Sequence, residues 1–353
     1  MVDVEIINST DLISSEILND LRQIINAARS RVASCAKYEV TMMYWNIGDR
    51  INRDVLNYER AEYGKQIVSQ IATQLQEEYG RKGFEPRNIR RMMTFAQLFP
   101  DFQIVSQLAT KLFWSHFIEV FSLKDSLQRE FYLTMAAIEN WGRDMLRAKI
   151  DGMLYERTAI ATKPKELIMQ ELVDLRENDT LSPDLVFKSP YFLEFTGLRG
   201  MYSEKSLEDS LVAHLEQFIM ELGSGFTFVE RQKRMIIDGE DFYIDLLFYH
   251  RKLHRLIAID LKLGSFKAQY KGQMELYLRW LEKYEMQLGE ETPLGLLLCT
   301  EGSGEQIELL QLDKSGIRVA QYFTELPSKE VLLRQLQKSI EAAKESRSIQ
   351  DNE

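Results

Sequence analysis

The stretch from Gly239 to Gly264, GEDFYIDLLFYHRKLHRLIAIDLKLG, decides how this chain folds. Two apolar runs flank a basic turn, His250 to Arg255, and each run carries one acid where a buried strand ordinarily carries none. In the first run Phe242, Ile244, Leu246 and Phe248 alternate on one face. Tyr243, Leu247 and Tyr249 fill the other face, with Asp245 among them. In the second run Ile257, Ile259, Leu261 and Leu263 share one face, and Leu256, Ala258, Asp260 and Lys262 share the opposite one, because successive side chains of a strand point to opposite sides. Apolar content on both faces predicts two central strands. A connecting loop of two or four residues puts Asp245 and Asp260 on the same face; a slip of one residue separates them. Asp260 and Lys262 are two residues apart, roughly 6–7 Å along a strand that rises about 3.3 Å per residue. Charges in such surroundings are costly unless they pair with one another or hold a metal ion. A structural ion pair, or a half-exposed sheet face, is the competing reading of the same residues.

An Asp followed by Asp-x-Lys on the next strand resembles the signature of the PD-(D/E)XK nuclease superfamily. The wider run, FYIDLLFYHRKLHRLIAIDLKLG followed by KAQYKGQMELYL, resembles the nuclease domain of a bacterial family, the YhcG-like proteins. Upstream, MYWNIGDRIN, RAEYGKQIV, LFWSHFIEV and REFYLTMAAIENW resemble the helical N-terminal domain of that family. The resemblance covers most of the chain. It implies an all-helical N-terminal domain followed by a restriction-endonuclease-like α-β-β-β-α-β domain, a mixed α+β and α/β architecture. It also implies a metal-dependent DNA endonuclease.

The implied roles follow the chemistry of phosphodiester hydrolysis, which needs a positioned water and compensation of charge on the phosphate. Mg²⁺, with Mn²⁺ as a substitute, takes hard oxygen ligands and keeps several waters. Asp245 and Asp260 are the implied ligands, and Glu208 is the helix acid that completes the metal site. The bound ion lowers the pKa of a coordinated water and polarises phosphoryl oxygens. Lys262 serves that water or the developing negative charge, and Gln273, on the following helix, positions substrate or water. Asp260 stands where the superfamily more often has Glu. Taken alone, Glu208 is an ordinary first-turn acid that suits a helix dipole, and Gln273 is a polar residue on a helix shoulder.

At 353 residues, with 45% hydrophobic and 28% charged residues, the chain has the composition of a globular protein of two domains. A net charge of −10 argues against a general nucleic-acid binder. Cations nevertheless cluster locally: Arg81, Lys82, Arg87, Arg90 and Arg91; then Arg231, Lys233 and Arg234; then Arg251, Lys252 and Arg255; then Lys267 and Lys271. Such a rim fits DNA contact, and it fits ordinary solvated faces equally. No apolar run is long enough to cross a membrane, and the acidic start, MVDVEIINSTD, lacks a signal-peptide core. Cys35 and Cys299 form no CxxC, so a reducing, cytoplasmic location is expected.

The helical domain is expected over 12–160, a connecting helix and linker over 161–204, and the nuclease-like domain over 205–345. Helices are expected over 12–58, from Tyr63 to Tyr79 and from Pro86 to Leu98. The last two, joined by GRKGFEP, have the outline of a helix-turn-helix whose second helix offers Arg87, Arg90 and Arg91 to DNA; a solvated bundle helix has the same outline. His116, within WSH, reads as a packing or capping residue. In the second domain one helix is expected from Ser206 to Leu222, strands over Phe226–Gln232 and Thr292–Cys299, and a final helix over Ser328–Lys344 before a frayed tail. Glu230, on the first strand, is a further acid within reach of the site. The alternative function is a non-catalytic module that binds nucleic acid or a protein partner within a defence or toxin-type system. Homo-oligomerisation is left open by either reading.

Overall fold

The computed structural model describes residues 35–53, 61–80, 82–301, 304–310 and 312–350. The parts of the expected first helix before residue 35 and after residue 53 lie outside them, as do Arg81 and the last three residues. Packing divides the chain into two compact units, Met1–Arg147 and Ala148–Glu353.

The first unit is helical throughout its described residues: α1 (35–53), α2 (Ala61–Tyr79), α3 (Pro86–Leu98), α4 (Phe102–Ala109), α5 (Trp114–Glu119), α6 (Ser126–Ile138) and α7 (Arg143–Asp151), the last crossing the boundary. Pro86 takes the first turn of α3, where its missing N–H costs nothing. Asp101 and Asp125 cap α4 and α6 by accepting backbone N–H bonds. Gly48 lets α1 lie directly on α3: a Cβ there would sit 1.9 Å from the Met92 carbonyl oxygen. Phe95 packs against Phe99, Trp114 and Phe117 at the centre of the unit. His116 is buried and bonded to the Trp141 carbonyl at 3.1 Å and to Phe113, which is the expected packing role.

The second unit is built on a six-stranded sheet of order β1-β6-β5-β4-β3-β2. Its strands are β1 (Tyr191–Phe192), β2 (Phe226–Ile237), β3 (Glu240–His250), β4 (Arg255–Ser265), β5 (Leu294–Glu301) and β6 (Ile317–Phe323). β2, β3 and β4 run antiparallel in turn; β4, β5, β6 and β1 are parallel. The helices are α8 (Leu154–Arg157), α9 (Lys165–Asn178), α10 (Pro183–Val186), α11 (Glu204–Ala213), α12 (Leu215–Leu222), α13 (Ala268–Tyr284), α14 (Gly304–Leu309) and α15 (Lys329–Gln350). One face of the sheet packs Leu246, Phe248, Ile257, Ile259 and Leu261 with Leu207, Leu211 and Phe218 of α11 and α12. The other packs Leu247, Leu256, Ala258 and Leu297 with Met274, Tyr277 and Leu281 of α13.

Five expectations change. The stretch 161–204 is not a connector but part of the second unit. Its Pro and Gly content reads as linker, yet Phe187, Tyr191 and Leu193 are buried in the sheet core, and Tyr191 pairs with Tyr322 beside β6. The single helix over Ser206–Leu222 is two helices, broken at His214 (φ −113°, ψ 39°) without a Gly or Pro to announce it. β2 continues to Ile237, and the last helix to Gln350. Finally, the alternation of β3 breaks at Asp245. Phe242 and Ile244 face α13, whereas Leu246 and Phe248 face α11 and α12.

Candidate active site

The β3–β4 register runs from His250↔Arg255 to Leu246↔Ile259, which leaves a four-residue loop, 251–254. An even loop keeps Asp245 and Asp260 opposite one another, as expected. The two strands stop pairing where these acids begin, and the Asp245 side chain replaces the lost ladder bond: its Oδ2 accepts the Leu261 N–H at 2.8 Å. Asp260 is 3% exposed, on the α13 side of β4 with Ala258. Lys262 Nζ lies 2.7 Å from Asp260 Oδ2 and 5.4 Å from the Tyr270 ring centroid of α13.

The electrostatics are those of crowded like charges. Burial first, and then the adjacent Asp245 carboxylate, push Asp260 up to about 7, against the pull of Lys262. Burial works against the Lys262 ammonium, but Asp260, Asp245 and Glu204 outweigh it and hold the pKa above the usual lysine range. Asp245, Asp260 and Lys262 are therefore brought together as the sequence predicts.

Glu208 and Gln273 stand one contact further out. Glu208 is buried on α11, and both its carboxylate oxygens are engaged: Oε1 accepts from Arg231 Nε, and Oε2 accepts from Gln232 Nε2 at 2.7 Å. The same Gln232 nitrogen donates to Asp245 Oδ1 at 3.1 Å, linking Glu208 to the strand acid. Gln273 donates to the Tyr277 hydroxyl, and Tyr277, its phenol pKa raised first by burial, also senses the charges of Asp260, Lys262 and Asp245. Among the described residues no three His, Cys, Asp or Glu side chains converge as a metal cluster. The donor set in place is the Asp245–Asp260 pair: hard carboxylate oxygens, crowded enough for a divalent cation to relieve their repulsion.

The sequence reading missed Gln232 and Glu204, and read Arg231 only as part of the basic rim, not as the partner of Glu208. Gln232 is one polar residue in a polar run, ERQKR. Glu204 Oε1 accepts the Leu263 N–H at 2.9 Å, a contact across 59 residues that no local pattern announces. The expected basic rim is largely paired. Arg231 spans Glu208 and Asp209, Lys233 meets Glu230 and Glu285, Arg234 meets Asp241, and Arg255 meets Glu291. Glu230 thus belongs to the rim. On α3, Arg87 and Arg90 are exposed and Arg91 is half-buried.

A mixed sheet with helices on both faces, an acid on one strand and Asp-x-Lys on the next, is a restriction-endonuclease-like core. Residues 184–341 match the YhcG PDDEXK nuclease domain, and residues 20–157 match the DUF1016 N-terminal domain. The chain belongs to the YhcG-like family, in which a helical domain precedes a PD-(D/E)XK nuclease domain. It is 29% identical to the YhcG protein of Escherichia coli (strain K12) over 352 residues, covering 91% of this chain and 93% of that one. Among solved structures it is similar to a repair endonuclease from Pyrococcus abyssi, with 18% identity and a TM-score of 0.26 over 37% of this chain and 50% of that one. It is also similar to EndoMS in a complex with double-stranded DNA, with 17% identity and a TM-score of 0.27 over 37% of this chain and 49% of that one. No described helix is long and apolar enough to cross a membrane.

Proposed function

We propose that this chain is a divalent-metal-dependent DNA endonuclease that hydrolyses phosphodiester bonds with Asp245, Asp260 and Lys262. The observation that carries the reading is the buried Asp260 carboxyl beside the half-buried Asp245, with Lys262 Nζ 2.7 Å from Asp260. Asp245 and Asp260 would hold Mg²⁺ or Mn²⁺, with Glu208 as a further ligand once freed from Arg231. The ion, when bound, supplies water activation and charge neutralisation at the phosphate. Lys262 places a cation where negative charge grows on the phosphate. Gln273, through Tyr277, orders the α13 wall of the site. Arg87, Arg90 and Arg91 of α3 would track the DNA backbone, the main source of sequence-independent affinity. A cytoplasmic location accords with these roles.

One observation favours a second reading, a non-catalytic nucleic-acid- or protein-binding module of a defence or toxin-type system. Glu208 is held by Arg231 and Gln232, so the three acids do not meet. One experiment separates the two. Linear, supercoiled and branched DNA are incubated with the protein in Mg²⁺, Mn²⁺ or EDTA, beside Lys262→Ala. The endonuclease reading expects metal-dependent cleavage that falls about 10²–10³-fold in the variant, the usual loss for one charge-stabilising donor. No cleavage of any form with either metal rejects it. Calorimetric titration with Mn²⁺ tests the ligands separately: Asp245→Asn and Asp260→Asn binding as tightly as wild type would remove the assignment.

A further inference from the structure

Gln232 is the residue at this site that neither the sequence pattern nor the family signature singles out. Its backbone is left-handed, at φ +50°, in the middle of β2. Few non-glycine residues adopt that region, and when one does beside a site the strain is maintained by surrounding contacts. Here those contacts are visible. The Gln232 amide nitrogen spends both protons on carboxylates, Glu208 Oε2 at 2.7 Å and Asp245 Oδ1 at 3.1 Å. The strand neighbours Arg231 and Lys233 pair with Leu246 and Ile244, so Gln232 lies across from Asp245, at the point where β3 changes face. An extended Gln232 would follow the alternation of β2 and lose this aim.

We infer that Gln232 is a positioning residue for the metal site: its strained backbone aims one amide that holds the α11 acid and the β3 acid together. The inference rests on the endonuclease reading for what the acids do, but the positioning itself does not depend on metal. Asp245 accepts two N–H bonds, from the Gln232 amide on Oδ1 and from Leu261 on Oδ2, beside its hydrogen bond with Asp260. Without Gln232 the carboxylate loses the one contact that ties it to α11, and Glu208 keeps only Arg231. Residues that orient metal ligands typically contribute about 10–100-fold to metal affinity.

The test compares wild type, Gln232→Gly and Gln232→Ala in the full chain. Glycine removes the donor and relieves the left-handed strain; alanine removes the donor and leaves the strain. Three quantities are read: melting temperature in EDTA, amide hydrogen exchange at Leu261 in EDTA, and Mn²⁺ affinity by calorimetry. The expected result is a higher melting temperature for Gln232→Gly than for Gln232→Ala. In both variants Leu261 exchange is about tenfold faster and Mn²⁺ binding at least about tenfold weaker. A purely structural role would move exchange and metal affinity in step with the melting temperature, and so less in Gln232→Gly than in Gln232→Ala. Unchanged Leu261 exchange together with wild-type Mn²⁺ affinity overturns the inference. If wild type binds no Mn²⁺, the metal reading fails while Leu261 exchange still decides the positioning role.

Discussion

Asp260 makes a prediction about stability that needs no substrate. The side chain is 3% exposed, and burial followed by the Asp245 charge raises its pKa from the ordinary 3.8 to about 7. At about 1.4 kcal/mol per tenfold change in proton affinity, that difference corresponds to about 4 kcal/mol when the group is fully ionised. The sign follows from linkage. The folded protein holds this proton more tightly than the unfolded chain, so the stabilisation is present at low pH. It is lost as pH rises from near 4 through the folded value near 7. The proton belongs to the Asp245–Asp260 pair rather than to one oxygen; removing Asp260 abolishes the effect, and removing Asp245 reduces it, because burial is the larger cause.

Asp260→Asn keeps the shape and removes the titration. Its absolute stability also reflects Lys262 losing a partner at 2.7 Å, so the diagnostic quantity is the wild-type-minus-variant difference as a function of pH. Lys188, lowered to about 7, and His250, lowered to about 4, both chiefly by burial, titrate with the opposite sign; they are common to both proteins and cancel. Urea denaturation in EDTA at pH 5, 6, 7 and 8 should show wild type losing about 2.5 kcal/mol relative to the variant across the range, the remainder being lost below pH 5. A difference constant within about 0.5 kcal/mol, the scatter expected of independent sites, refutes the crowded-carboxylate argument. Repeating the series with Mn²⁺ in place of EDTA should flatten the wild-type curve, because a bound cation replaces the proton.

Glu221→Gln should destabilise the second unit by about 3–5 kcal/mol, since it strips the buried Arg157 (2.6 Å) and Lys188 cations of their shared carboxylate; chemical denaturation measures it. Gly48→Ala should cost the first unit more than about 2 kcal/mol, because the new Cβ meets Met92 backbone at 1.9 Å rather than a movable side chain; a melt close to that of wild type would show that α1 and α3 can part. Changing Arg87, Arg90 and Arg91 together to Ala should weaken DNA binding and lower its salt slope by up to about three, near one per phosphate contact. Unchanged, equally salt-sensitive binding removes α3 from the DNA interface.

The hairpin was legible because its evidence is local. Ile257, Ile259 and Leu261 do face α11 and α12, with Ala258 and Asp260 opposite, and an even loop sets the register. Thr292–Cys299 was legible as a buried strand for the same reason, having no polar face. β1 was not, because two residues of strand carry no periodicity and depend on β6, over a hundred residues later. The break at His214 interrupts an apolar stripe that is continuous in sequence, from Leu207 to Leu222. Gln232 was invisible for a stronger reason: its function comes from a backbone conformation, and a glutamine in a polar run says nothing about φ.

The point where period-two reasoning fails on β3 is also what builds the wall of the site. Had the alternation continued past Asp245, Ile244 and Phe242 would have stayed on the α11–α12 side with Leu246. They turn instead beneath α13, where Phe242 lies 6.5 Å from the Tyr277 ring and Met235 of β2 joins the same core. Tyr277 holds Gln273 through its hydroxyl and feels the charges of Asp260 and Lys262. The far end of the β2–β3 hairpin therefore buttresses the helix that closes the acid pair on one side, while Gln232 ties the pair to α11 on the other. A strand regular enough to be read without error would carry Asp245 on the correct face of the sheet, but it would leave Tyr277 without Phe242 and Asp245 without the Gln232 amide.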